Sequence, residues 1–121
     1  EDFIRKYIEQ APYGNRIHLH IGDAIELLPQ LLSQHQFDIV YIDANKRQYV
    51  EYYNLIIPYL KSGALVIADN TLWDGKVVET VKDNDTQTKS ILAFNKLVQD
   101  DERVENLILP MRDGLSLIRV K

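Results

Sequence analysis

The sequence predicts an open α/β fold, and three features carry that prediction. Two apolar runs, FDIVYI at residues 37–42 and ALVIA at 64–68, read as strands, and a helical pattern lies between them. A second helical pattern comes after ALVIA, and the chain closes on VENLIL and LSLIRV either side of the turn signal Arg112-Asp113-Gly114. Strand and helix in alternation imply βαβ units and a mainly parallel sheet with right-handed crossovers, ended by an antiparallel hairpin. A single domain over residues 1–121 is expected, since this length supports one core and no more.

Each element has its own signal. In DFIRKYIEQA the apolar Phe3, Ile4, Tyr7, Ile8 and Ala11 fall at helix spacing, and Pro12 with Gly14 ends the pattern. RIHLHI alternates, with Ile17, Leu19 and Ile21 against Arg16, His18 and His20, which is the period of a strand. Asp23 with Glu26 three later is like a capping box opening AIELLPQLL, and Pro29, lacking an N–H, is expected to kink or restart that helix. FDIVYI is apolar on both faces, the pattern of a central parallel strand covered by helices on both sides. Tyr49, Tyr52, Tyr53, Ile56, Ile57 and Leu60 then repeat at helix spacing until Ser62-Gly63 stops them. After ALVIA come DNTLWDGKVV and the polar stretch KDNDTQT, then a helix through Ser90–Val98 and the closing hairpin.

Composition narrows the function classes. Hydrophobic residues make up 45% and charged residues 26%, as in an ordinary globular domain, and no apolar run approaches the roughly 20 residues of a membrane span. The formal net charge of −4 argues against a broad nucleic-acid footprint, though a local basic rim would suffice for a structured RNA. The absence of cysteine removes disulfides, thiolate metal sites and cysteine nucleophiles together, and a cytoplasmic setting is expected.

In open α/β sheets, ligands bind beyond the carboxyl ends of the strands. Asp23, Asp43 and the pair Asp69-Asn70 fall there, at the ends of three successive strands. If the strands ending at Asp43 and Asp69 are neighbours, about 4.8 Å apart, both carboxylates and the Asn70 amide oxygen can meet at one point. Such hard oxygens suit a divalent cation, Mg²⁺, Mn²⁺ or Ca²⁺, with water or substrate completing the shell. Lys46, three residues past Asp43, is either a solvated helix-start lysine or a general base whose proton a nearby cation makes easier to lose. Trp73 is either a loop anchor or an exposed indole walling a planar substrate. His18 and His20 share a strand face, but a zinc site there lacks a third ligand. The tyrosines of YVEYYNLIIPYL are expected to pack rather than to stack on bases.

The stretches IHLHIGDAIELLPQL, FDIVYIDANKRQYVEYYNLIIPYLKSGALVIADNTLWDGKV and LPMRDGLSLIRVK resemble the metal-dependent O-methyltransferases of the catechol and caffeoyl-CoA type, above all their small bacterial members. The resemblance covers nearly the whole chain, and its ID-A-x-K, Y-x-x-Y, G-x-x-x-x-D-N and LW-x-G elements come in family order and spacing. It implies a Rossmann-like class I methyltransferase sheet, S-adenosylmethionine as cofactor, and a divalent cation, Mg²⁺ before Mn²⁺ or Ca²⁺. Metal ligands would fall on Asp43, Asp69 and Asn70, and the candidate base on Lys46. Adenosyl contacts would fall on Asp23 and Ala24, with Asp43 near the sulfonium, and Trp73 and Asp74 would line the substrate side. A hydroxylated small molecule such as a catechol is the implied acceptor, with a hydroxylated uridine in tRNA as the alternative, and a homodimer is the implied assembly.

Departures from the family pattern are informative. Many members read D-A-D-K where this chain has Asp43-Ala44-Asn45-Lys46, so Asn45 keeps a hydrogen bond but removes a charge near the cofactor. The position after LW, often Asn, is Asp74. No G-x-G segment occurs, although the family carries a glycine-rich cofactor loop after its first strand. Residues 1–121 are therefore expected to be the C-terminal portion of such a domain, N-terminally truncated, inactive alone and poor at binding cofactor. In the family strand order 3-2-1-4-5-7-6, losing the first two strands would separate GNRIHLHIG from FDIVYI. A receiver-like signalling module needs an acidic pair after its first strand and a lysine after its fifth, and this chain offers neither; a non-catalytic interaction fragment is the other alternative.

Overall fold

A computed structural model describes every residue from Glu1 to Lys121. The helices are α1 (Asp2–Gln10), α2 (Ala24–Gln34), α3 (Tyr49–Ile56) and α4 (Thr86–Asp100), and the strands are β1 (Ile39–Ile42), β2 (Leu65–Asp69), β3 (Val104–Leu109) and β4 (Leu115–Val120). Short 3₁₀ turns occupy Gly14–Arg16, Lys46–Gln48, Ile57–Tyr59 and Lys76–Val78. No helix is long and apolar enough to cross a membrane.

The strands form one sheet in the order β1-β2-β4-β3. β1 and β2 are parallel, with Ile42 opposite Ala68, while β4 runs antiparallel to both β2 and β3. The sheet is therefore mixed, with one parallel ladder, and the closing hairpin supplies the other two pairings. Alternate residues share a face. Ile42, Val66, Ala68, Ile118, Val104 and Val120 lie on the covered face, buried with Tyr49, Tyr53 and Ile56 of α3 and Ile91, Phe94 and Val98 of α4. Phe94 presents its ring edge-on to Tyr49 and Tyr53, with centroids 5.4 and 6.0 Å apart, a geometry that adds to simple area burial.

The fold departs from the sequence-based expectations at several places. FDIVYI is not a central strand covered on both sides: β1 ends the sheet, and Ile39 and Tyr41 on its other face are exposed. Residues 17–21 form no strand, and Ile17 and Ile21 are exposed, because no neighbouring strand offers them a ladder. Alternation marks the capacity to pair, and pairing still needs a partner. Pro29 neither breaks nor restarts α2, which runs unbroken through it; a missing N–H there orphans a single carbonyl. Pro58 acts more visibly, since α3 tightens at Ile56 into the 3₁₀ turn Ile57–Tyr59. The polar KDNDTQT stretch holds the start of α4, where Asp85 accepts from the Thr88 N–H at 3.0 Å and from its hydroxyl at 2.7 Å. At α2, Asp23 accepts from the Ile25 N–H at 2.8 Å, which is the N-cap half of the expected capping box.

Candidate active site

Carrying the β1–β2 register one residue past Ile42 and Ala68 sets Asp43 level with Asp69 at the carboxyl ends of two parallel neighbours. The strands ending at Asp43 and Asp69 are thus neighbours, about 4.8 Å apart, the condition on which the expected meeting of their carboxylates depends. Asp43 is the more open, its side chain 59% exposed, and its one charged partner is Lys46 Nζ at 3.0 Å. Asn70 comes directly after Asp69 with a left-handed backbone, φ 59°, and donates its N–H to Asp69 Oδ1 at 2.7 Å.

Lys46 is not a solvated lysine. Its side chain is 9% exposed, and Nζ donates to the Tyr49 hydroxyl at 2.7 Å as well as to Asp43. Burial pulls its pKa down, but the hydrogen bonds to Tyr49 and Asp43 outweigh burial and leave it raised, so the resting group is an ammonium. Tyr49 is fully buried, and its hydroxyl lies 3.0 Å from the Asp69 carbonyl oxygen and 3.2 Å from that of Ile42. One hydroxyl therefore meets the ends of both strands and the lysine.

Tyr41 completes the group. Its hydroxyl donates to Asp69 Oδ2 at 2.7 Å, and that bond, with slight desolvation and the negative charges of Asp69 and Asp43, pushes its pKa up to about 12. The phenol thus stays a donor at neutral pH and senses both carboxylates.

The loop after β2 is held by the β3–β4 turn. Thr71 and Leu72 donate their N–H groups to the Gly114 and Asp113 carbonyls at 3.1 and 2.9 Å, and the Asp74 N–H donates to the Asp113 carboxylate. Buried Thr71 also accepts from Asn95 of α4 through its carbonyl and from the Ser116 hydroxyl through its own. Gly114 has φ +83°, and a Cβ there would stand 2.5 Å from Leu72 Cγ and 2.7 Å from Leu72 N. Only glycine permits that approach. All four non-glycine residues with left-handed backbone, Asn70, Trp73, Asp74 and Arg112, belong to this loop and this turn. Such concentration of strained conformations is a mark of functional sites.

Two hollows adjoin here and share Arg112 and Asp113. One, of about 460 Å³, is lined by Tyr41, Asp69, Asn70, Met111 and Leu115 besides the shared pair. The other, of about 840 Å³, is lined by Leu72, Asp74, Gly75, Val77 and Val78 besides that pair. Asp74, expected on the substrate side, borders the second hollow. Trp73 does not line either hollow: it is half-buried against the core, with Lys76 Nζ 6.0 Å from its ring centroid, and so anchors the loop.

Of the other expected residues, Asp23 and Ala24 sit at the start of α2, and neither they nor Asp43 line these hollows. Asn45 caps the 3₁₀ turn that carries Lys46, accepting from the Arg47 N–H at 3.2 Å. His18 and His20 border a separate hollow with His35, yet no group of three or more His, Cys, Asp or Glu side chains converges to hold a metal. A cation at the strand ends would accordingly draw on the Asn70 amide besides Asp43 and Asp69.

Tyr41 and Tyr49 are the residues of this candidate site that pattern reading misses. Tyr41 stands two residues before Asp43 on the strand, hence on its face, and that spacing is the available signal. Tyr49 at Lys46 + 3 is one helical turn from the lysine, although its place in the helical repeat speaks for packing alone.

The fold is of the open α/β class, and these strand-end acids lie at the carboxyl edge of the sheet, where that class places its ligand crevice. The O-methyltransferase family model matches residues 1–121, and the chain belongs to that family. It is 35% identical over 124 residues to caffeoyl-CoA O-methyltransferase 2 of Eucalyptus globulus, covering 93% of this chain and 49% of the relative. Caffeoyl-CoA O-methyltransferase 1 of Zea mays is 35% identical over 123 residues, covering 93% and 47%. Among solved structures, the O-methyltransferase of Bacillus cereus in complex with SAH superposes with a TM-score of 0.89 at 27% identity, over 99% of this chain and 57% of that one. The SAH-bound methyltransferase of Podospora anserina gives 0.82 at 26%, over 97% and 54%. The chain spans about half the length of the curated relatives it matches.

Proposed function

We propose that the protein carrying this chain is an S-adenosylmethionine-dependent O-methyltransferase that methylates a hydroxyl of a small, catechol-like acceptor with the aid of a divalent cation. The observation that carries this reading is the pair Asp43 and Asp69, level at the ends of adjacent parallel strands, with Lys46 tied to the first. The donor set fits a hard cation: Asp43 is open, and Asp69 and Asn70 line a hollow large enough for part of an acceptor. Asp43, Asp69 and Asn70 would hold it, Mg²⁺ being the best match to hard oxygens. Such a cation supplies Lewis acidity that lowers the pKa of an acceptor hydroxyl. SAH in two of the similar structures supports the sulfonium cofactor, whose adenosyl part would lie against Asp23 and Ala24.

The chain's own residues do the rest. Asp74, Arg112 and Asp113 border the space where an acceptor would lie, and much of the acceleration comes from holding the two reactants in line. Tyr41 keeps its proton and offers a hydrogen bond beside Asp69. Lys46 takes the hydroxyl proton in its neutral form, which its raised pKa makes scarce at pH 7, so the rate should go on climbing with pH past the ordinary lysine range. The names of the curated relatives and the net charge of −4 both favour a small acceptor over tRNA.

Transfer of a labelled methyl group from S-adenosylmethionine to catechol by the full-length protein tests the reading. Transfer should stop when a chelator is added and return with excess Mg²⁺. Chelator-resistant transfer would remove the cation from the account, and absence of transfer to any vicinal dihydroxy acceptor would remove the acceptor class.

A further inference from the structure

We infer that Tyr49 is a positioning residue: its hydroxyl locks Lys46 and the carboxyl ends of β1 and β2 into one geometry. The inference rests on the function proposed above for Lys46 and the strand-end acids. Three groups from different elements meet at this one buried oxygen, namely Lys46 Nζ at 2.7 Å, the Asp69 carbonyl at 3.0 Å and the Ile42 carbonyl at 3.2 Å. Lys46 donates, and the single hydroxyl proton is shared between the two carbonyls. Those carbonyls belong to the residue before Asp43 and to Asp69 itself, so the tie acts within one residue of both proposed cation ligands.

The ring is placed to hold that oxygen still. Tyr49 is fully buried, with Phe94 edge-on at 5.4 Å and Tyr52 at 6.4 Å. Its neighbours on α3 provide the contrast. Tyr52 bonds to Gln48 one turn away and Tyr53 to Asp101 beyond α4, so both are tyrosines of the same helix with satisfied hydroxyls remote from the acids. Packing alone would make the three alike. Positioning singles out Tyr49.

Steady-state kinetics of Tyr49→Phe, Tyr52→Phe and Tyr53→Phe in the full-length protein test this, together with acetylation of Lys46 by an N-hydroxysuccinimide ester and peptide mass analysis of the product. For Tyr49→Phe, kcat should fall roughly 10- to 100-fold with the acceptor KM within about twofold, since small misplacement is costly at a reacting centre. Lys46 acetylation in the same variant should quicken roughly tenfold as its tie opens. Tyr52→Phe and Tyr53→Phe should leave kcat and labelling within about twofold. Wild-type labelling of Lys46 in Tyr49→Phe, or equal losses in all three variants, overturns the inference. If the wild-type protein transfers no methyl group, the proposed function fails instead, and the labelling comparison still judges the tie.

Discussion

On one face of the sheet, Val66, Ala68 and Ile118 are sealed beneath α3 and α4; on the other, Ile39 and Tyr41 of β1 and Leu107 and Leu109 of β3 lie exposed. Both faces carry apolar residues, and the first is the more fully covered. Strand alternation therefore states which side chains share a face, whereas coverage depends on what packs against it. The covered face holds the fold together. It also aims Tyr49 at the strand ends, so the same layer that supplies stability sets the site.

The two faces should respond very differently to truncation. Phe94→Ala, which empties the space between Tyr49 and Tyr53, should cost about 3–5 kcal/mol in urea unfolding, whereas Leu107→Ala should cost under about 1 kcal/mol. Equal losses would show that the open face is packed after all. Gly114→Ala comes next, at roughly 2–3 kcal/mol, because a Cβ meets Leu72 and φ is positive. That variant should also disturb the loop carrying Trp73 and Asp74, read as lost protection of the Thr71 and Leu72 amides in hydrogen exchange.

Smaller effects come from charged groups at the margins of the covered layer. Asp101 is held well below the usual carboxylate range, chiefly by its hydrogen bond from Arg103, with further bonds from the Arg103 N–H and the Tyr53 hydroxyl, against the opposing pull of burial. A depressed folded pKa stabilises above the unfolded value, near 4, and that contribution is lost as pH falls below it. With the exposed Arg103 guanidinium screened by solvent, the loss should be about 1 kcal/mol between pH 5 and pH 2. Asp101→Asn should flatten this part of the urea-midpoint profile, and an unchanged slope would discount the Tyr53–Asp101–Arg103 link. Smallest is Tyr41→Phe, which frees Asp69 Oδ2 and should tighten Mn²⁺ binding about two- to threefold without altering stability.

Much of this arrangement was legible in the sequence. Asp43, Asp69 and Asn70 stand out as the first polar residues past each apolar run, and a parallel sheet does bring such ends together. The β3–β4 hairpin was likewise visible from Arg112-Asp113-Gly114. The features that escaped depend on three-dimensional partners. Ile17–Ile21 has the period of a strand but no ladder; Pro29 sits inside a helix that tolerates one orphan carbonyl; and only packing against the core decides between the two readings of Trp73. Periodicity placed Tyr49 in the core correctly, yet it speaks for the ring and says nothing of where the hydroxyl goes.

The central claim is that Asp43 and Asp69 act together as one cation site beside Lys46. Mn²⁺ titration of the full-length protein, monitored by electron paramagnetic resonance, tests it most directly in the wild type, Asp43→Asn and Asp69→Asn. The account predicts one bound ion per chain in the wild type and at least about a tenfold loss of affinity in each variant. Undiminished binding in either variant, or no binding in the wild type, would contradict it.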